Sequence, residues 1–157
     1  MGDQVVTVER EIGARAADIF AVIADASRHH EIDGSGTVVG PRPGRSTTLR
    51  LHSTFGMSMK LGVPYSMANE VVEFDQDRRI AWRTTGPGLL RRVIGGRVWR
   101  YELEPLNGGR STRVTESWDI SGDKQRFMLQ RGPAPKQAAE SMTKTLERLA
   151  TITESAR

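Results

Sequence analysis

Cysteine is absent from this 157-residue chain. That excludes disulfides, thiolate metal sites and a cysteine nucleophile together. Aromatic residues make up only 6% of the chain, so the placement of its three tryptophans carries unusual weight. No apolar run approaches the ~20 residues of a membrane-spanning helix. The opening Met1-Gly2-Asp3-Gln4 has neither a basic nor an apolar targeting segment, so a cytoplasmic protein without stable membrane insertion is expected. Also lacking are a nucleophile elbow, a P-loop, a dinucleotide fingerprint and an HExxH pair. The Gly86-x-Gly88 pair lies between strands and opens no helix, which removes it as a phosphate cradle. With no base–nucleophile dyad, covalent catalysis has no support.

Charge of one sign is not concentrated either. The net charge is +4, but Arg28, Arg42, Arg45, Arg50, Arg78, Arg79, Arg97, Arg110 and Arg126 are scattered. No helix-turn-helix, zinc-finger or RNP-like motif accompanies them, so no nucleic-acid partner is expected. Hydrophobic residues account for only 37%, while glycine and proline add 16 and 7. That balance describes a sheet-rich, turn-rich globule, and the length suits one domain spanning residues 1–157.

Residues 5–12 alternate as a strand. Residues 14–24 turn helical, with Ala16, Ile19, Phe20 and Ile23 three and four apart. Residues 25–30 continue as a short second helix, broken by Asp33-Gly34-Ser35-Gly36. Strands are expected near 37–40, 46–54, 65–74, 79–85, 97–106 and 111–120. Tight turns at 41–44, 75–77 and 107–109 alternate with longer Gly-rich connections at 29–36, 56–64, 86–96 and 122–132. In an antiparallel meander successive turns change ends, so all four long connections gather at one end, as the mouth of a container. Pro133 and Pro135 open a last helix to about residue 153. Its stripe of Ala139, Met142, Leu146, Leu149 and Ile152 needs the concave face of the sheet as a partner.

Alternation sorts the lining. Ile80, Trp82 and Thr84 share a face, as do Trp99, Tyr101 and Leu103, and Val114, Glu116, Trp118 and Ile120. Tyr65 and Asn69, alternating with Met67, add polar groups, while Met59 and Met142 extend the apolar lining. Glu116 is the most telling polar residue: facing inward, it needs a donor such as Tyr101, Asn69 or an arginine, or its pKa rises. It is the candidate acid/base, with Tyr65 as second catalytic candidate. A carboxylate satisfied by a neighbour is the plainer alternative. His29, His30 and Asp33 are expected at the rim, where His29 and Asp33 have two-ligand metal spacing without a third ligand, so no metal and no cofactor are expected. Leu89, Leu90, Val93 and Ile94, with the Met57–Val63 stretch and Phe127, Met128 and Leu129, are too apolar for plain surface loops. They fit a lid or a homodimer contact.

Strand, two short helices, meander and long final helix is the order of the helix-grip fold. Residues 17–36 (ADIFAVIADASRHHEIDGSG), 70–83 (EVVEFDQDRRIAWR) and 113–119 (RVTESWD) resemble START-like polyketide cyclase/dehydrase and lipid transport proteins (SRPBCC). The chain departs from the commonest pattern at Ile32, where a tryptophan is usual. The resemblance implies an α+β fold, a curved six- to seven-stranded antiparallel sheet around a long C-terminal helix. It also implies a cavity between them for a small hydrophobic ligand such as a polyketide, lipid or isoprenoid-like molecule. Aromatase/cyclase activity in the same cavity, and a protein-interaction module using the apolar rim, are the alternative readings.

Overall fold

The computed structural model describes residues 4–33, 38–40, 48–61, 63–86 and 88–155. Strand β1 (Val5–Ile12) leads into helix α1 (Ala16–Ile23), a 3-10 turn (Ala26–Arg28) and helix α2 (His29–Ile32). Strands β2 (Val38–Gly40), β3 (Thr54–Leu61), β4 (Val63–Asp75), β5 (Arg79–Thr85), β6 (Gly95–Leu106) and β7 (Ser111–Asp119) follow. The chain ends in α3 (Arg126–Arg131) and the 22-residue α4 (Ala134–Ser155). All seven strands form one antiparallel sheet in the order β1-β7-β6-β5-β4-β3-β2. This is the helix-grip arrangement expected from the order of elements.

Helix α4 buries Ala138, Met142, Leu146, Leu149 and Ala150. Those positions recur at three- and four-residue spacing and make one apolar stripe along a helix of about 33 Å. Its last turn is tied to the end of β1, where the Gly13 amide donates to Glu154 Oε2 at 2.7 Å. Helix α1 presses Ile19, Phe20, Val22 and Ile23 into the same core. It stops at Ala24 because the Asp25 carboxylate accepts from the Ser27 amide at 3.0 Å and starts a 3-10 turn instead. Ile32 is buried in this core.

Two local expectations are corrected. Residues 46 and 47 lie outside the described residues, and 48–53 do not form a strand: Thr48 makes only an isolated bridge to Asp25, and His52 takes a left-handed φ of 69°. The strand lies at Thr54–Leu61 instead, pairing with β4 from Thr54↔Glu70 to Leu61↔Val63. Residues 56–61 and 63–64 therefore belong to paired strands rather than to a long connection. The physical reason is legible afterwards, since Phe55, Met57, Met59 and Leu61 alternate with Gly56, Ser58 and Lys60 at a strand period. The turn expected at 41–44 lies outside the described residues. Parity itself holds. The α2–β2 connection, the β3–β4 turn, the β5–β6 connection and the β7–α3 connection all leave from one end of the sheet.

A bulge in β4 bends the sheet. Val71 pairs with Trp82 and Glu73 with Ala81, so Val72 is an extra residue. Before it Asn69 and Val71 lie on the buried face of the sheet. After it Phe74 faces inward, edge-on to Phe20 with ring centroids 5.6 Å apart. Glu73 consequently turns to the convex face, where both its oxygens accept from Arg100 Nε, at 3.0 and 3.2 Å. That guanidinium pulls the Glu73 carboxyl below its ordinary range.

Candidate functional site

The concave face is built in rows that cross the strands. Registers place Val8, Glu116, Tyr101 and Ile80 side by side on β1, β7, β6 and β5. One step toward the end carrying the longer connections, Val6, Trp118, Trp99, Trp82 and Val71 make the next row. All three tryptophans therefore stand shoulder to shoulder, as strand alternation expected. Trp99 and Trp118 lie 6.5 Å apart, and Trp82 tilts against Tyr101 at 5.6 Å. A further step brings Arg97, Thr84, Asn69 and Phe55. This face thus grades from apolar through aromatic to polar.

Along β7 the buried apolar residues divide at Glu116, with Val114 in one group and Trp118 and Ile120 in the other, while Val71 and Trp82 stay with the first group. On one side Ile12, Phe20, Ile80, Tyr101, Leu103, Val114, Leu146 and Leu149 pack together with α1. On the other, Trp118 and Ile120 pack against Ala138 and Met142 of α4. Val8 and Trp99 touch both groups. Glu116 is only 3% exposed, and its Oε1 is buried without a hydrogen-bond partner among the described residues. Burial pushes its pKa up to about 8; the Tyr101 hydroxyl, donating to the carboxyl, opposes this, and the Asp33 carboxylate adds to it. At neutral pH the group is therefore mostly a neutral acid. Tyr101 is driven well above the ordinary tyrosine value by its own burial and then by Glu116. Of the donors considered for Glu116, Tyr101 is the one in place. Asn69 is engaged elsewhere, its Oδ1 accepting from Thr84 Oγ1 at 2.6 Å and its Nδ2 donating to the Phe55 carbonyl at 3.5 Å.

His29 is the clear correction among the expected rim residues. It is 5% exposed and stacks on Trp82, with centroids 5.0 Å apart and planes at 23°, while Phe55 closes edge-on to both rings. Its Nε2 lies 2.7 Å from the Ile23 carbonyl. A carbonyl can only accept, so Nε2 carries the proton. Burial lowers the His29 pKa and keeps the ring neutral. The ring is held inward by Trp82 and Phe55 on its faces and edge and by the hydrogen bond to the Ile23 carbonyl. His30 is exposed, Asp33 is half-buried, and Leu89 is 76% exposed on the β5–β6 connection. The side chains of Met59, Tyr65, Met67 and Leu90 lie outside the described residues. Met142 is buried beneath Trp118. No cluster of three or more His, Asp or Glu that could hold a metal occurs among the described residues.

Phe55, Arg97 and Asp123 were not anticipated. Phe55 belongs to the strand that was misplaced, and the period-2 alternation after it was the available signal. Arg97 Nε donates to the fully buried Asp123 at 3.2 Å. This pair pins the β7–α3 connection against the start of β6, where the Lys124 amide also donates to the Gly95 carbonyl at 3.0 Å. Gly96, at φ +107°, permits the approach, because a Cβ there would sit 2.6 Å from the Gly122 carbonyl oxygen.

The same architecture occurs in solved structures of distant sequence. A START superfamily protein from Mycobacterium smegmatis superposes with a TM-score of 0.71 at 18% identity, covering 98% of this chain and 99% of that one. The hypothetical protein jhp0584 from Helicobacter pylori also gives 0.71 at 18% identity, covering 97% and 89%. In sequence, the chain is 38% identical over 112 residues to the uncharacterized protein Rv0088 of Mycobacterium tuberculosis, which is 69% of this chain and 44% of that protein. The chain thus aligns with less than half the length of that relative. The family model described as polyketide cyclase / dehydrase and lipid transport matches residues 3–154. That match takes in β1, the whole meander and nearly all of α4, and so the chain belongs to the polyketide cyclase/dehydrase and lipid transport family.

Proposed function

We propose that residues 1–157 form a single ligand-binding domain holding a small hydrophobic molecule, a polyketide, lipid or isoprenoid-like compound, between the sheet and α4. The observation that carries this reading is Glu116, buried among aromatic rings with one oxygen unpartnered. An orphaned buried oxygen costs about 1–3 kcal/mol, a cost that a ligand's hydroxyl or carbonyl removes. A neutral carboxyl both donates and accepts, so Glu116 with Tyr101 forms the polar anchor. Trp82, Trp99 and Trp118 supply apolar area at about 25 cal/mol per Å² buried. Asn69 and Thr84 lie one row further toward the end with the longer connections and meet the ligand's second polar end. Met59, Tyr65 and Met67 belong to the same lining in this reading.

The raised pKa of Glu116 favours a second reading, catalysis as an aromatase/cyclase. A carboxyl protonated at neutral pH can hydrogen-bond a ketone oxygen and donate its proton there. Holding a poly-β-ketone bent against the tryptophans would supply positional rate enhancement. Tyr65 is the second candidate for proton transfer.

Native mass spectrometry with organic extraction of the purified protein tests the container. A co-purifying apolar molecule near one-to-one is expected. Protein of clean mass that also fails to enhance any of a panel of apolar dyes would overturn the reading in favour of an apolar rim serving a protein partner. Glu116→Leu separates anchor from lining: it should weaken binding of ketone- or hydroxyl-bearing ligands and spare pure hydrocarbons.

A further inference from the structure

Large apolar side chains are unevenly exposed. Six are exposed among the described residues: Val5, Leu51, Leu89, Val93, Phe127 and Met128. Four of these stand on just two connections, the turn between β5 and β6 and the helix α3, and Val5 begins β1 at the same end of the sheet. Leu89, Val93, Phe127 and Met128 are 76, 58, 58 and 62% exposed. The two connections are locked together where they leave the sheet by the Arg97–Asp123 pair and the Lys124–Gly95 hydrogen bond. Their apolar tips thus form one rim.

Basic residues are scattered along the chain, but at this place no acidic residue accompanies them. Segments 88–97 and 124–137 contain seven of the chain's 23 lysines and arginines and none of its 19 acidic residues. The remainder of the chain, sixteen basic against nineteen acidic, is net negative. The acidic groups flanking these segments are engaged: Asp123 is fully buried on Arg97 and the Gln125 amide, and Asp119 accepts from Ser121 and faces Arg100 at 3.8 Å. Arg92, Lys124, Arg131 and Lys136 are exposed around the apolar tips. Arg126 lays its guanidinium 4.6 Å from the Phe127 ring centroid, so a cation and a large apolar surface are offered by adjacent side chains.

We propose that this rim docks on an anionic lipid bilayer. Leu89, Val93, Phe127 and Met128 enter the boundary between headgroups and acyl chains, while the surrounding arginines and lysines meet lipid phosphates. Separate apolar tips on two short protrusions, each with basic flanks, match a planar and deformable surface that accepts every tip independently. The proposal concerns the outside of the rim and does not depend on what the interior binds.

Vesicle co-sedimentation of the full chain tests it, with phosphatidylcholine alone and with phosphatidylcholine containing phosphatidylglycerol. Binding is expected to the anionic vesicles, weakened about tenfold or more between about 0.1 and about 0.5 M NaCl as the charges are screened. The pair Phe127→Ser/Met128→Ser should lower binding by about tenfold or more through lost apolar insertion, and Arg92→Gln/Arg131→Gln by a similar factor. Both pairs lie on exposed positions, and unchanged thermal midpoints will show that the fold is intact. Arg78→Gln/Arg110→Gln, at the opposite end of the sheet, should bind as wild type. Absence of binding to anionic vesicles, or equal losses at the two ends, overturns the proposal. So does a salt-insensitive dimer in sedimentation velocity that Phe127→Ser/Met128→Ser dissociates, since the rim would then serve a second copy of the chain.

Discussion

Replacing Glu116 by glutamine should make the protein more stable, and increasingly so as the pH rises. In the folded protein the carboxyl titrates near 8, against an ordinary 4.5. Below 4.5 both folded and unfolded chains hold the proton, and the group imposes no ionisation cost. Between 4.5 and 8 the unfolded chain releases the proton while the folded chain keeps it, so stability falls by about 1.4 kcal/mol per pH unit. Above 8 the loss is complete, about 5 kcal/mol in order of magnitude. Glutamine still accepts the Tyr101 hydrogen bond but never ionises. Urea unfolding of both proteins at several pH values from 5 to 9 isolates the effect, because every other titrating group cancels in the difference. The two proteins should be nearly equal at pH 5, with the variant ahead by several kcal/mol at pH 9. A constant offset across that range would refute the reasoning and mean that Glu116 is hydrated or paired with a cation.

His29 should act at the other limb. Its pKa is lowered by burial, so the unfolded chain takes up a proton that the folded chain refuses, and stability declines as the pH drops below the ordinary histidine value of 6.5. His29→Phe, which keeps the stack on Trp82, should flatten that acid limb in the same urea series. Gly96→Ala should lower stability by roughly 1–3 kcal/mol, because the new methyl meets the Gly122 carbonyl at a left-handed φ; an unchanged midpoint would mean the β7–α3 connection moves freely. For ligand binding, Trp99→Ala and Trp118→Ala should each weaken uptake of an apolar probe far more than Arg100→Ala, whose side chain pairs with Glu73 on the convex face. Equal losses in a fluorescence titration would contradict the proposed lining.

Much of the fold could be read from local pattern because both periods involved are short. The 3.6-residue recurrence of Met142, Leu146 and Leu149 and the two-residue alternation of Trp99, Tyr101 and Leu103 each specify an element and its buried face. Counting strands then placed the connections at one end, and parity put three tryptophans and Glu116 on one surface without any knowledge of their contacts. Where sequence reasoning failed, a glycine misled it. Gly56 reads in sequence as the start of a loop, yet β3 runs through it. The error displaced Phe55, one of the rings that enclose His29.

Other features had no local signature. The extra residue Val72 reverses which positions of β4 face inward, and a bulge of this kind follows from the pairing of two strands, since neither strand alone encodes it. Covering His29 with Trp82 and Phe55 takes three segments that are distant in sequence, and the neutrality of the ring follows only from that cover. The sequence alone determined that Glu116 faces inward, because side-chain direction along a strand alternates with every residue. Only the tertiary structure decided that it stands where the apolar core divides along β7, with Tyr101 as donor and one oxygen unpaired. Desolvation depends on everything packed around a group, and that environment exists only once sheet and helix have closed on each other.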